Sequence, residues 1–181
     1  MTKIRYILGF VLMLACSLGS SQASSPAGDI AVVVNASNPV NDVSMSELRN
    51  MLMGDRRFWK GNVRVKLILR EPGTRDRDAI LGLLLKLDNK AFAAHWRAKV
   101  FRGEAAEEPL SVSSVSQLEH FLLQNPGGIT FMTAKATVPQ LKVLRLNGKL
   151  PGDRGYALNE RCLASGHSAP QCVQKTKAGK E

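Results

Sequence analysis

The sequence predicts an α/β sandwich built on a mixed sheet. Three observations lead there. Ile30 to Val34 is a continuous apolar, mostly β-branched run, the pattern of a strand buried on both faces. Runs with helical spacing follow, most of them opened by a capping residue. These alternate with further strand-like runs in the order β-α-β-α-α-α-β-β, with no internal repeat.

Each element has its own justification. Residues 24 to 29 are a short polar lead-in to the first strand. "NASNPVND" is rich in turn formers and ends that strand. Ser44 and Glu47 are spaced as a capping box, and Val43 with Leu48 as a hydrophobic staple. Met45, Leu48, Met51 and Leu52 recur at helical spacing until Gly54 stops the helix. "DRRFWKGN" is a loop whose Phe58 and Trp59 are expected to seal the core edge. Val63, Val65, Leu67 and Leu69 then alternate as a second strand, with Ile68 adding a second buried side.

"REPGTRDRDAI" turns this strand into a helix over about 75–87. Its Ile80, Leu81, Leu84, Leu85 and Leu87 cover a wide face. Asp88 caps a third helix over about 89–101, with Phe92, Trp96 and Val100 in line. "RGEAAEEP" is a charged loop. Ser114 and Gln117 form another capping-box spacing before a helix that carries Val115, Leu118, Phe121 and Leu122. "NPGG" turns into the short strand "ITFM", and "LKVLRL" (141–146) alternates as the last strand. Beyond Gly148 the periodicity stops. The expected organisation is a signal segment at 1–23, one domain over 24–148, and a tail over 149–181.

The first segment carries Lys3 and Arg5, an uncharged run from Tyr6 to Leu18, and then Ser21-Gln22-Ala23. That order matches a secretory signal peptide cleaved after Ala23. The apolar run falls short of the roughly 20 residues that a membrane span needs. A lipid anchor at Cys16 is the minority alternative, because Leu14 stands where such sites usually carry a small residue. The chain has 181 residues and a formal charge of +10. The excess favours anionic partners without choosing among them; export argues against nucleic acid.

Cys162 and Cys172 flank a short Gly/Pro/Ser-rich stretch, and an oxidising compartment favours a disulfide between them. His167 lies between them, but two cysteines and one histidine lack the fourth ligand and spacing of a metal site. No metal and no cofactor is expected. A Gly-x-Ser-x-Gly elbow, a Walker loop and a His-Glu-x-x-His motif are all absent from the sequence. His95, His120 and His167 are far apart, and Glu107 with Glu108 reads as a solvated pair. No catalytic residue is assigned, and the chain reads as a binding protein, not an enzyme.

Three segments in order sharpen that reading. "IAVVVNASNPVNDVSMSELRNMLMGDRRFW", "LREPGTRDRDAI" and "LLQNPGGITFM" together resemble the phosphate-binding subset of periplasmic solute-binding proteins, in particular the short phosphate-transporter substrate-binding-like members. That family carries a V-N-x-x-N-P strand followed by a helix that runs to Gly and Trp. An R-x-x-G-S-G-T segment and an N-P-G-A-I-G-Y strand come later. Asn35 to Trp59 matches the first pattern; Arg70, Gly73 and Thr74 match the second in shortened form; Asn125 to Phe131 matches the third. The likeness covers about 30–147. It implies a type II periplasmic-binding-protein-like fold, a three-layer arrangement with a mixed sheet, truncated relative to full two-lobed members. It also implies anion recognition by backbone amides and hydroxyls. The serine of the second pattern is missing here, since Pro72 precedes Gly73 and Thr74 follows it.

The candidate ligand site is therefore Arg70, Gly73, Thr74 and Arg75, with Arg77 nearby and with Asn35 and Ser37 at the mouth of the first strand. Thr74 is expected to cap the helix with its hydroxyl, Gly73 to let the backbone approach a ligand, and the arginines to add charge-assisted bonds. Asp76 and Asp78 complement the same helix end and would repel an anion. An ordinary capped helix accounts for this stretch as well as an anion site does. An Asx-type turn accounts equally for Asn35 and Ser37. The function expected is an exported, periplasmic protein that binds phosphate or a similar oxyanion, partnered by a membrane transporter or an envelope protein. The alternative is a ligand-free module that docks on an envelope or membrane partner.

Overall fold

The computed structural model describes residues 28–134 and 137–159. The expected signal segment with Cys16, the Cys162–Cys172 pair and His167 lie outside the described residues. A five-stranded mixed sheet organises the domain, in the order β4-β3-β5-β1-β6. Its strands are β1 (Ile30–Asn35), β3 (Lys66–Arg70), β4 (Leu110–Val112), β5 (Gly128–Thr133) and β6 (Leu141–Val143). β3 runs parallel to both β4 and β5. β1 runs antiparallel to β5 and β6. A second, two-stranded ladder pairs β2 (Asp42–Val43) with β7 (Arg145–Leu146).

β1 is buried along its whole length because both of its faces are covered. Ile30, Val32 and Val34 point into the larger core, and Ala31 and Val33 into the smaller one. β3 divides in the same way, with Leu67 and Leu69 on one side and Ile68 on the other. The larger core is closed by α1 (Met45–Leu52), α2 (Arg75–Ile80) and α3 (Asn89–Phe101), the smaller by α4 (Val115–Gln124). Helix, sheet and helix make the three layers.

The local signals account for the helix starts. Ser44 and Glu47 form the reciprocal capping box, and Val43 and Leu48 are both buried in the larger core. Asp88 accepts from the Ala91 amide, which opens α3 as expected. At α4 only half of the box forms. Ser114 caps Gln117, but the Gln117 side chain turns to the amide and hydroxyl of Ser113. The helix expected over 75–87 is α at first and π-helical from Leu81 to Leu85, with Lys86 left-handed at its end. The wider turn puts Leu81, Leu83 and Leu84 all in the core.

Two other features differ from the sequence reading. The strand at 141–146 is two short strands, because Leu144 leaves β6 and donates its amide to Val32 O before β7 begins. Packing also continues past Gly148. Tyr156, Ala157 and Leu158 are buried in the larger core, and the Tyr156 hydroxyl donates to Ile30 O at 2.8 Å. Burial raises the pKa of that hydroxyl well above its ordinary value, helped by the Asp29 charge. Three isolated contacts carry no periodicity, so nothing in the pattern of the sequence marked them.

Candidate functional site

The end of β3 and the end of β5 lie side by side, because the two strands are parallel. A cleft of about 400 Å³ opens there, lined by Arg70, Thr74, Arg75, Asp76, Val115, Met132 and Thr133. The first residues of α2 and α4 meet at this cleft, so the positive ends of two helix dipoles point towards it.

Arg70 is the last residue of β3. Its Nη2 donates to Ser113 O at 3.0 Å, while its Nε is buried with no protein partner. The chain then turns through Gly73, whose φ of +84° is in the left-handed region that glycine tolerates. Open space surrounds the position where its Cβ would be. Thr74 occupies the N-cap position but does not cap α2. Its hydroxyl donates backwards to Glu71 O at 2.8 Å. The turn is held instead by Asp78, whose Oδ1 accepts from the Gly73 amide at 3.2 Å and from Asn89 Nδ2 at 2.5 Å.

Asp76 also departs from its expected role. Its carboxylate accepts from the amide and hydroxyl of Thr133, at 3.2 and 3.3 Å, and so ties α2 to β5. Arg75 reaches the same carboxylate at 3.7 Å. Arg77, the third arginine of the stretch, turns away from the cleft. It is buried, with Nε to Asn89 Oδ1 at 2.8 Å and Nη1 to Arg70 O at 2.9 Å. Its guanidinium lies 5.8 Å from the centre of the Phe92 ring. Desolvation pushes its pKa down, and the Asp78 charge pulls the other way. Arg77 therefore supports the turn from behind.

The structure brings Arg70, Gly73, Thr74 and Arg75 together and leaves Asn35 and Ser37 elsewhere. Ile30 pairs with Thr133 and Val34 with Ile129, so Asn35 stands at the other end of the sheet, roughly 17 Å away at the usual strand rise. Asn35 Nδ2 donates to Leu122 O and Leu123 O, and its Oδ1 accepts from the amide and hydroxyl of Ser37. That is an Asx turn that also closes the end of α4. Thr133 was missed by the sequence reading, although it directly follows the strand-like "ITFM". The signal was its place at a strand's carboxyl end.

Trp59 and His95 are structural. Trp59 is buried and donates to Gly127 O at 2.9 Å, while Phe58 is exposed. His95 Nε2 lies 2.9 Å from Met53 O, which can only accept, so this nitrogen carries the proton. Among the described residues, no group of three or more His, Cys, Asp or Glu side chains is placed to hold a metal ion.

The fold is that of the substrate-binding proteins of phosphate ABC transporters. A phosphate ABC transporter substrate-binding protein with bound phosphate from Clostridium perfringens superposes with a TM-score of 0.59 at 13% identity, over 81% of this chain and 61% of that one. PstS from Borrelia burgdorferi gives 0.57 at 14% identity, over 82% and 67%. A phosphate-binding protein from Stenotrophomonas maltophilia gives 0.51 at 13% identity, over 70% and 41%. This chain thus spans less than two thirds of the Clostridium and Stenotrophomonas proteins. No protein-family model matches the chain, and no curated protein matches it in sequence.

Proposed function

We propose that the chain is an exported, periplasmic solute-binding protein that holds phosphate or a similar small oxyanion in the cleft at the ends of β3 and β5. The observation that carries this reading is the convergence of Arg70, Thr74, Arg75 and Thr133 on one cleft, with the Arg70 Nε–H free of any protein acceptor. Two guanidiniums supply charge-assisted donors, and the two threonine oxygens, whose protons go to Glu71 O and Asp76, can accept from an oxyanion that carries a proton. The signal-peptide pattern at 1–23 supports export, which in turn supports a Cys162–Cys172 disulfide. The likeness to transporter-associated proteins supports a membrane transporter as partner.

Asp76 constrains the ligand. A fully ionised anion beside its carboxylate would be repelled. An oxyanion that still carries a proton can donate to it, so hydrogen phosphate fits this cleft better than sulfate. Melting the protein in phosphate tests the reading. Ligand at a hundredfold its dissociation constant adds about 2.7 kcal/mol, several degrees in Tm for a domain of this size. Replacing Arg70 and Thr74 together by Ala is expected to abolish the rise, and sulfate is expected to give less. No shift with millimolar phosphate overturns the reading.

A further inference from the structure

We propose that the end of the molecule opposite the cleft docks on an anionic lipid surface, with Phe58 and Phe101 entering the headgroup layer. The described residues expose three large hydrophobic side chains, and two of them are these phenylalanines, at 45% and 92% exposure. Phe58 sits on a hairpin ahead of β3, closed by Trp59 N to Val63 O and Val65 N to Arg57 O. Phe101 is the last residue of α3.

Both belong to the same end. Arg57 Nη1 donates to Glu104 O at 3.0 Å, which fastens the hairpin to the turn after α3. Trp96 Nε1 to Leu52 O and Lys99 Nζ to Asp55 Oδ1 fasten α3 to the segment just before the hairpin. Chain reach across the Arg57–Glu104 link keeps the two α-carbons within about 25 Å. The start of α3 bonds Arg77 behind the cleft, and a helix of 13 residues carries Phe101 about 20 Å further on.

The surrounding charge selects the partner. The acids Asp55, Glu104 and Glu107 are held in ion pairs with Lys99, Arg102 and Lys66. Lys60, Arg64 and Arg97 are exposed and form no ion pair among the described residues, and Glu108 is the one nearby acid in the same position. On α3, Arg97 and Phe101 are four residues apart and share a face. Phe101 at 92% exposure has no wall beside it, so it is not a stacking pocket for a base. Isolated phenyls among cations suit a fluid anionic interface, which closes around whatever enters it.

Vesicle co-sedimentation of the full chain tests this. Equal parts phosphatidylglycerol and phosphatidylcholine are compared with phosphatidylcholine alone, which measures any pull of the apolar run at 6–18. The wild type is expected to bind the anionic vesicles at least tenfold better. Phe58→Ala with Phe101→Ala, and separately Lys60→Glu with Arg64→Glu, should each remove most of that preference without changing Tm. Equal binding to both vesicles, or variants that keep the preference, overturns the proposal; an acidic protein as the true partner would give the first of these results. The variants lie far from Arg70 and Thr74, so phosphate-dependent melting remains a separate readout.

Discussion

The two ends of the sheet are built on opposite principles. At the Asn35 end the start of β5 is tightly packed. A Cβ on Gly127 would come within 1.9 Å of Arg64 O, and one on Gly128 within 2.7 Å of Leu122 Cδ1. Polar groups there are almost all paired: Asn35 makes four bonds, and Gly127 O accepts from both Lys66 N and Trp59 Nε1. The buried Asn38 Nδ2 and Thr130 Oγ1 are the exceptions. At the cleft end Gly73 has open space around it, Thr74 caps nothing, and Arg70 Nε is unpaired. The first end sets the fold, and the second keeps the Arg70 Nε–H in reserve.

Substitutions can break that contrast, and the largest effect belongs to Gly127→Ala. The clash is with backbone, which has nowhere to move, so destabilisation of about 3 kcal/mol or more is expected in a denaturant titration. Asn35→Ala follows. It strips bonds from two α4 carbonyls and from the Ser37 amide, a loss of about 2–3 kcal/mol, while phosphate-dependent melting should survive. Glu47→Gln is smaller. The Ser44 amide and Arg56 hold the Glu47 carboxyl near a pKa of about 2, below its ordinary value of 4.5. A depressed carboxyl stabilises the fold above pH 4.5 and loses that contribution as pH falls towards 2. The half-exposed pair is screened, so about 1 kcal/mol is expected at neutral pH, and the variant's stability curve should be flatter between those two pH values. Thr74→Ala comes last. With no helix N–H to lose, it should shift stability by about 0.5 kcal/mol or less; a loss near 2 kcal/mol would show that the cleft end is structural after all.

What the sequence made legible was local. Caps are contacts between neighbours, so Ser44, Asp88 and Ser114 announced α1, α3 and α4. The double burial of β1 was legible because both faces are apolar. Strand direction was not. Nothing in "IAVVVN" says that it runs against β5, and that single fact sends Asn35 and Ser37 to the far end of the sheet. Arg77 was equally ambiguous, since three arginines within eight residues look alike until one of them finds Asn89 and Phe92 behind the turn. Very short strands such as β2 and β4 are defined by their partners, and no pattern of two or three residues could carry them.

The Tyr156 clasp limits where the domain can be cut. Ile30 N donates to Leu158 O at 3.0 Å while Tyr156 holds Ile30 O, so the first strand is locked to the segment after Gly148 at one point. That point is beside Thr133, on the cleft side. A chain cut ahead of Tyr156 would leave the start of β1 uncovered beside the cleft, so the segment after Gly148 belongs to the support of the candidate site.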